Sequence, residues 1–172
     1  MAYAEFDLEG LKEYFARFRQ AAQGDFRAEC EQFLDGLGEE FLRIVQDEII
    51  RRKVVDTSTL LNSFYKDADK SVWEMQEDGL LLEVGTNVQY AAYVNNGHWQ
   101  CAEGVKQRFV PGYWKDADHF VYDPSAKTGM LLKQKWINAQ PYFDGAYHIM
   151  EKLYPELLEK KMEQWVKKYF GE

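Results

Sequence analysis

The sequence predicts an α+β protein: a small, mostly antiparallel β-sheet flanked by N-terminal and C-terminal amphipathic helices. Three observations carry this. Apolar residues recur at helical spacing over both ends of the chain. Between them, short runs alternate with a period of two. Asp78-Gly79 joins two of those runs as a hairpin turn pair. No internal repeat, low-complexity run or linker divides the 172 residues, so residues 1–172 are read as one domain. Such a length buries roughly two-thirds of the unfolded surface.

The segments follow in order. Residues 1–24 form an N-terminal helix, with Leu8, Leu11, Phe15, Phe18 and Ala22 on one face and Asp7 as its N-cap. Residues 25–55 form a long helix capped by Asp25, with Phe26, Cys30, Phe33, Leu37, Phe41 and Ile44 in a stripe widened by Leu34, Val45 and Ile49. Glu29 and Glu31 near its start and Arg51-Arg52-Lys53 at its end suit the macrodipole. Gly36 and Gly38 each cost about 1 kcal/mol inside a helix, which a bend or a close packing neighbour would explain.

Residues 56–98 hold a short helix from Asp56 to Phe64, a hairpin and a motif helix. Strands are expected over Ser71–Glu77 and Leu80–Val84. Gly85 then lets the backbone turn away sharply. Thr86 and Gln89 have capping-box spacing, and Tyr90, Tyr93 and Val94 share a face that packs its aromatics into the sheet. Gly97 ends the helix in a left-handed conformation, and His98 caps backbone carbonyls. Residues 99–130 are an aromatic loop or hairpin insertion, with Pro111-Gly112 at a tight turn and Pro111 disfavouring a central strand. In residues 131–172 a strand over Met130–Ile137 leads to helices that Pro141 starts. Their apolar face runs through Ala146, Ile149, Met150 and Leu153, then Leu157, Leu158, Met162, Trp165 and Tyr169, with a kink or restart at Pro155.

Composition limits the function. The net charge is −8, from 29 acidic and 21 basic residues. A chain so acidic has no general affinity for phosphate backbones or anionic membranes, because both need lysines and arginines. No apolar run approaches the ~20 residues of a membrane span. The first residues lack the layout of a signal peptide. Cys30 and Cys101 make no disulfide framework. The expectation is a soluble protein made in the cytoplasm.

The stretch Gly85-Thr86-x-x-x-Tyr90-Ala91-x-Tyr93-Val94-x-x-Gly97-His98 resembles the signature of the minor tail-component or tail-completion proteins of tailed phages, the gene-product-ten-like family. Upstream, Asp56 to Phe64 is similar to the family's Thr-Gly-x-Leu-x-x-Ser segment, with Ser58 where the family usually has Gly. Downstream, Ala139-Gln140-Pro141-Tyr142-Phe143 is similar to its Pro-Phe motif before a final helix. The resemblance spans about residues 27 to 170. It implies a virion protein at the neck, the head-proximal end of the tail, acting in tail completion or tail termination and head–tail joining. It also implies a homo-oligomeric ring, expected to be a hexamer, that meets tail-tube or sheath and connector proteins, with DNA passing through an acidic lumen unbound. Assembly in the host cytoplasm follows from the same resemblance.

Catalytic patterns are weak by comparison. His98, Cys101 and His119 lack the second close ligand pair of a zinc site. Ser63 and Ser125 lie in no nucleophile elbow, and no glycine-rich phosphate loop is present. The expectation is therefore no enzyme, no metal and no cofactor. Trp99, Phe109, Tyr113, Trp114, Phe120 and Tyr122 exceed what a turn-rich segment needs for itself, which suits an assembly contact. The alternative is a small enzyme or ligand-binding domain with a pocket near Tyr90, Tyr93, His98 and His119.

Overall fold

The structure is a computed structural model that describes residues 16, 17, 19, 25–54, 58–76 and 81–170. Most of the N-terminal helix, the Asp56 cap and the Asp78-Gly79 turn lie outside the described residues. The architecture is α+β, as the sequence predicts. The helices are α1 (Asp25–Arg51), α2 (Thr59–Asn62), α3 (Ala91–Asn96) and α4 (Tyr142–Phe170). The strands are β1 (Ser71–Gln76), β2 (Leu81–Thr86), β3 (His98–Trp99), β4 (Gln107–Trp114), β5 (Phe120–Tyr122), β6 (Gly129–Lys133) and β7 (Trp136–Ile137). The backbone divides into two compact units, one of residues 1–88 and 142–172 and the other of Gln89–Pro141.

The first unit is built on α1 and α4. The helical stripe of α1 is buried at Phe41, Ile44, Val45 and Ile49, and Leu60, Phe64, Tyr142, Ala146 and Trp165 complete that core. Rings interlock edge-on, Phe41 with Phe143 at 5.3 Å and Phe64 with Tyr142 at 6.0 Å between centroids, an arrangement that adds to plain area burial. One ionic cluster ties α1 to α4 and a second is local to the end of α1. Glu29 of α1 accepts from the Tyr169 hydroxyl at 2.7 Å and pairs with Lys168 of α4. The Lys168 bond is the first reason its carboxyl lies below the usual range. At the other end of α1, Glu48 is buried and chelated by Arg51 and Arg52. There α4 comes so close at Gly145 that a Cβ would meet Glu48 Oε2 at 2.7 Å.

Gly38 is explained by a packing neighbour: a Cβ there would meet Leu82 at 2.6 Å and Trp73 at 2.7 Å. The β1–β2 hairpin thus lies flat on α1 at that position. Its register pairs Ser71 with Thr86 and Gln76 with Leu81. Gly85 does not turn the chain; it pairs with Val72 inside β2, which runs on to Thr86. Pro155 neither ends nor restarts a helix, for α4 passes through it as one element.

The second unit holds separate small sheets rather than the single sheet expected. β3 pairs with β7, and β4 pairs with both β5 and β6, all antiparallel. The Met130–Ile137 strand is in fact two strands, β6 and β7, in different sheets. Pro111-Gly112 is not a turn but the middle of β4, where the strand changes partner. Residues 107–111 pair with β6 and residues 112–114 with β5. The peptide between Pro111 and Gly112 bridges the two ladders. Its N–H donates to Thr128 O at 2.9 Å and its carbonyl accepts from Asp123 N at 3.2 Å. Every stretch of β4 therefore has one partner only, which is how a proline is tolerated in a strand that lies between two others. Gly112 has φ 152°, and a Cβ there would sit 2.2 Å from Val121 O.

Candidate functional site

Two of the three motif segments meet in the first unit. Ser63, buried after α2, donates to Leu60 O at 2.8 Å and accepts from Thr86 Oγ1 at 2.7 Å. Thr86 in turn accepts the Val88 N–H at 3.1 Å. Thr86 is thus no helix cap, and its capping box with Gln89 is replaced. The helix α3 starts five residues later, after Tyr90, with no side-chain cap. The competing partner is tertiary: Ser63 lies 23 residues back in sequence. The third segment joins through rings, Tyr142 against Phe64 and Phe143 against Phe41, with Pro141 immediately before α4. These motif residues build a hydrogen-bonded and aromatic brace.

Ser58 has φ 60° and ψ −1°, the left-handed region. A glycine at this position, as in the resembling segment, would hold that conformation without the clash a Cβ brings.

In the second unit α3 buries Ala91 and Asn95, while Tyr90 and Tyr93 face outward. The expected aromatic face is therefore the exposed one, because spacings 91 and 95 define the buried side. Gly97 has positive φ as predicted, at 73°, but with ψ 165° it is extended rather than helical. That region is open essentially to glycine alone. A Cβ would also meet Ile137 O at 2.7 Å and Ala139 N at 2.8 Å. His98 Nδ1 lies 3.3 Å from Tyr93 O; a carbonyl can only accept, so Nδ1 carries the proton there.

A cavity of about 490 Å³ opens beside this helix, lined by Tyr93, His98, Trp99, Cys101, Glu103 and Arg108 among others. Tyr93 and His98 are thus brought together, whereas Tyr90 and His119 are not part of its lining. Cys101 is buried, and its thiol donates to Leu132 O at 3.4 Å. His98 and Cys101 both spend their hydrogen bonds on backbone carbonyls. Among the described residues no group of three or more His, Cys, Asp or Glu side chains could hold a metal ion. None of the described helices is long and apolar enough to cross a membrane.

The aromatic segment is where the surface departs most from an ordinary monomer. Trp99, Phe109, Tyr113, Trp114 and Tyr122 are each at least half exposed. Phe120 is half-buried, edge-on to Trp114 at 5.3 Å. Two further residues join them that sequence reasoning missed. Leu131 lies directly across from Phe109 on β6, and Trp136 across from Trp99 on β7; both are exposed. The run Met130-Leu131-Leu132, apolar on both faces of a strand, was the signal available for Leu131. Directly paired residues of antiparallel strands share a face. Phe109, Pro111, Tyr113, Leu131 and Val121 thus occupy one side of the β4 ribbon, and Trp114, Phe120 and Tyr122 the other. The ribbon thus exposes large apolar side chains on both faces.

Residues 12–97 match the family model described as "Bacteriophage HK97-gp10, putative tail-component". The match takes in the Ser63–Thr86 brace and α3 and ends at Gly97, before the ribbon. The phage-like element PBSX protein XkdI of Bacillus subtilis (strain 168) is 43% identical over 161 residues, 94% of this chain and 98% of its own length. The uncharacterized protein YqbI of the same strain is 43% identical over 166 residues, 95% and 99% of the two chains. No solved structure matches. With half its length matched by the family model and relatives this similar from end to end, the chain belongs to the HK97-gp10-like family of phage tail components.

Proposed function

We propose that the protein is a structural, non-enzymatic part of a phage tail or phage-tail-like particle, located in the virion at the neck. There it acts in tail completion and head–tail joining, as one subunit of a hexameric ring in contact with tail-tube or sheath and connector proteins. Family membership supports the tail, and the name of the PBSX relative places that protein in a phage-like element. The observation that carries the assembly reading is the ribbon with large rings exposed on both faces, since clustered exposed apolar side chains mark interaction surfaces. Burying two or three such rings contributes several kcal/mol at roughly 25 cal/mol per Å². The chain's net charge of −8 suits a channel through which DNA slides without adhering.

The test is a Tyr113→Ala, Trp114→Ala double variant in the phage or element that carries the gene. Its circular dichroism and melt should match the parent, while particles lose the protein and their tails stay incomplete. Antibody label on wild-type particles should sit at the head-proximal end under the electron microscope. Label along the tube or at the distal tip would defeat the neck assignment, and normal incorporation of the double variant would defeat the ribbon's role. The small-ligand reading has the cavity beside His98 in its favour. His98→Ala particles that assemble with normal yield but lose a bound small molecule would favour it instead.

A further inference from the structure

We propose that the β4–β5–β6 ribbon of one copy docks its exposed rings into an open apolar cleft between α1 and α4 of a second copy, a head-to-tail contact that can repeat from subunit to subunit. The inference rests on the reading of this chain as a self-assembling tail component. Three observations converge on it.

The cleft comes first. About 570 Å³ of space lies against Phe33, Gly36, Leu37, Leu153 and Leu157, with the polar Gln32, Glu40 and Lys161 also in its lining. Such a volume is large enough to admit aromatic side chains. Gly36 is the second observation. A glycine inside a helix is destabilising, and Gly38 is explained by Trp73 and Leu82 packed onto it. At Gly36 a Cβ would meet nothing within 4 Å, so no contact among the described residues requires the missing side chain. A ring arriving from another molecule would.

Charge is the third. Gln89–Pro141 carries six basic residues (Lys106, Arg108, Lys115, Lys127, Lys133 and Lys135) against four acidic ones (Glu103, Asp116, Asp118 and Asp123). The whole chain holds 21 basic and 29 acidic residues, which leaves 15 against 25 for the rest. An apolar, basic ribbon and an apolar cleft on an acidic body are complementary in both respects, and complementary potentials guide encounter and register. Both halves of the contact belong to this chain, so the occupant is a second copy. Because the two surfaces differ, the contact can repeat in one direction from copy to copy, and such a heterologous contact generates rings or filaments.

The test uses the full chain with a photo-crosslinking amino acid in place of Tyr113, mixed with an isotopically labelled copy. Irradiation should give a covalent dimer whose adduct maps to residues 32–40 or 153–161 of the other copy. An adduct within one copy, a ribbon-to-ribbon adduct, or no dimer where the wild type oligomerises overturns the contact. Gly36→Leu supplies the second arm: it fills the cleft while improving helix propensity. It should raise the dissociation constant of the oligomer at least about tenfold without lowering the melting temperature of the monomer. Unchanged association shows that the cleft is not the seat. A lowered monomer melting temperature shows that the cleft is filled from within the chain, and that too sinks the proposal. A wild type that stays monomeric yet is found in tails removes this contact and leaves the tail assignment standing. If the wild type is found in no particle, the tail assignment falls with the self-assembly reading, whatever the cross-link gives.

Discussion

In the unit of α1 and α4, Phe41, Phe64, Tyr142 and Trp165 are buried and meet one another or Phe33, Phe143 and Phe26 edge-on. In Gln89–Pro141 the comparable rings of Trp99, Phe109, Tyr113, Trp114 and Tyr122 stand at least half in solvent. Residues buried there are small or polar, Ala91, Asn95, Cys101 and Gly112. The helical unit also exposes Tyr65, Tyr147 and Tyr154, but its core is aromatic, whereas the second unit buries none of its rings fully. What separates them is the element beneath. A 27-residue helix facing a 29-residue helix can cover its rings from both sides. A ribbon paired to one neighbour at each position cannot. Aromatic content alone therefore says little; the layers available to cover it decide.

The sharpest way to break this comparison is to truncate one ring from each region. Tyr142→Ala removes a ring that is 2% exposed and packed on Phe64, and should cost about 4 kcal/mol in a urea melt. Phe109→Ala should stay within about 0.5 kcal/mol of the parent, as surface substitutions do. A comparable loss at Phe109 would mean that the ribbon has a core of its own.

The helical unit was the legible one, and the reason is physical. The period of 3.6 in Phe41, Ile44, Val45 and Ile49 survives any tertiary context that buries one face. Glu48 was not legible, because a glutamate on a helix reads as solvated. Arg51 and Arg52, three and four residues on, were the available sign that it could be neutralised where it stands. Thr86 misled for the opposite reason: its local capping box was genuine in spacing, but Ser63 supplied a better partner from a distance. In the ribbon, Pro111-Gly112 has turn chemistry, and only the change of partner from β6 to β5 lets it sit mid-strand. Local signals fail there because pairing is decided by residues far along the chain. The outward side of Tyr90 and Tyr93 belongs to the same class. Two aromatics at helical spacing look like a core face until Ala91 and Asn95 are seen to occupy it.

Gly97→Val tests whether the second unit has rigid points despite its exposed rings. The backbone at φ 73°, ψ 165° and the Cβ contacts below 3 Å with Ile137 and Ala139 leave no relaxed conformation for valine. A loss of about 3 kcal/mol is expected from backbone strain and displacement together. A variant as stable as the parent in urea would show that Gly97 does not hold this conformation.

Glu48→Gln sharpens the comparison from the other side, through a charge buried in the helical unit. At pH 7 the variant should lose about 2 kcal/mol, the scale of hydrogen bonds to charged groups. The Arg51 hydrogen bond is the first of the causes that hold the Glu48 carboxyl below its ordinary value of 4.5, with Arg52 adding to it. A depressed carboxyl stabilises the fold above its unfolded pKa, and that stabilisation disappears as pH falls through the lower, folded value. The gap between parent and variant should therefore be constant above about pH 5 and narrow as the medium becomes more acidic than that. Melts across pH 3 to 7 check it; a gap that widens in acid would reverse the sign and remove Glu48 as a buried anion.

The smallest expected effect is a gain, at a position where the helical unit carries strain. Ser58 sits at φ 60°, ψ −1°, immediately before α2, and its side chain makes no cap hydrogen bond there. For an L-residue with a Cβ that conformation costs about 1 kcal/mol against glycine. Substituting glycine relieves the clash but also loosens the unfolded chain, which returns part of the gain. The net for Ser58→Gly should be a stabilisation of about 0.5 kcal/mol, read as a higher urea midpoint at unchanged slope. Ser63 sets the contrast within the same segment: its hydroxyl joins that of Thr86 in the relay to Leu60 O, so Ser63→Gly should destabilise where Ser58→Gly stabilises. Two serines five residues apart would then respond with opposite signs to one substitution. If Ser58→Gly is destabilising as well, the left-handed turn is not what positions α2, and the preference for glycine in the resembling segment needs another cause.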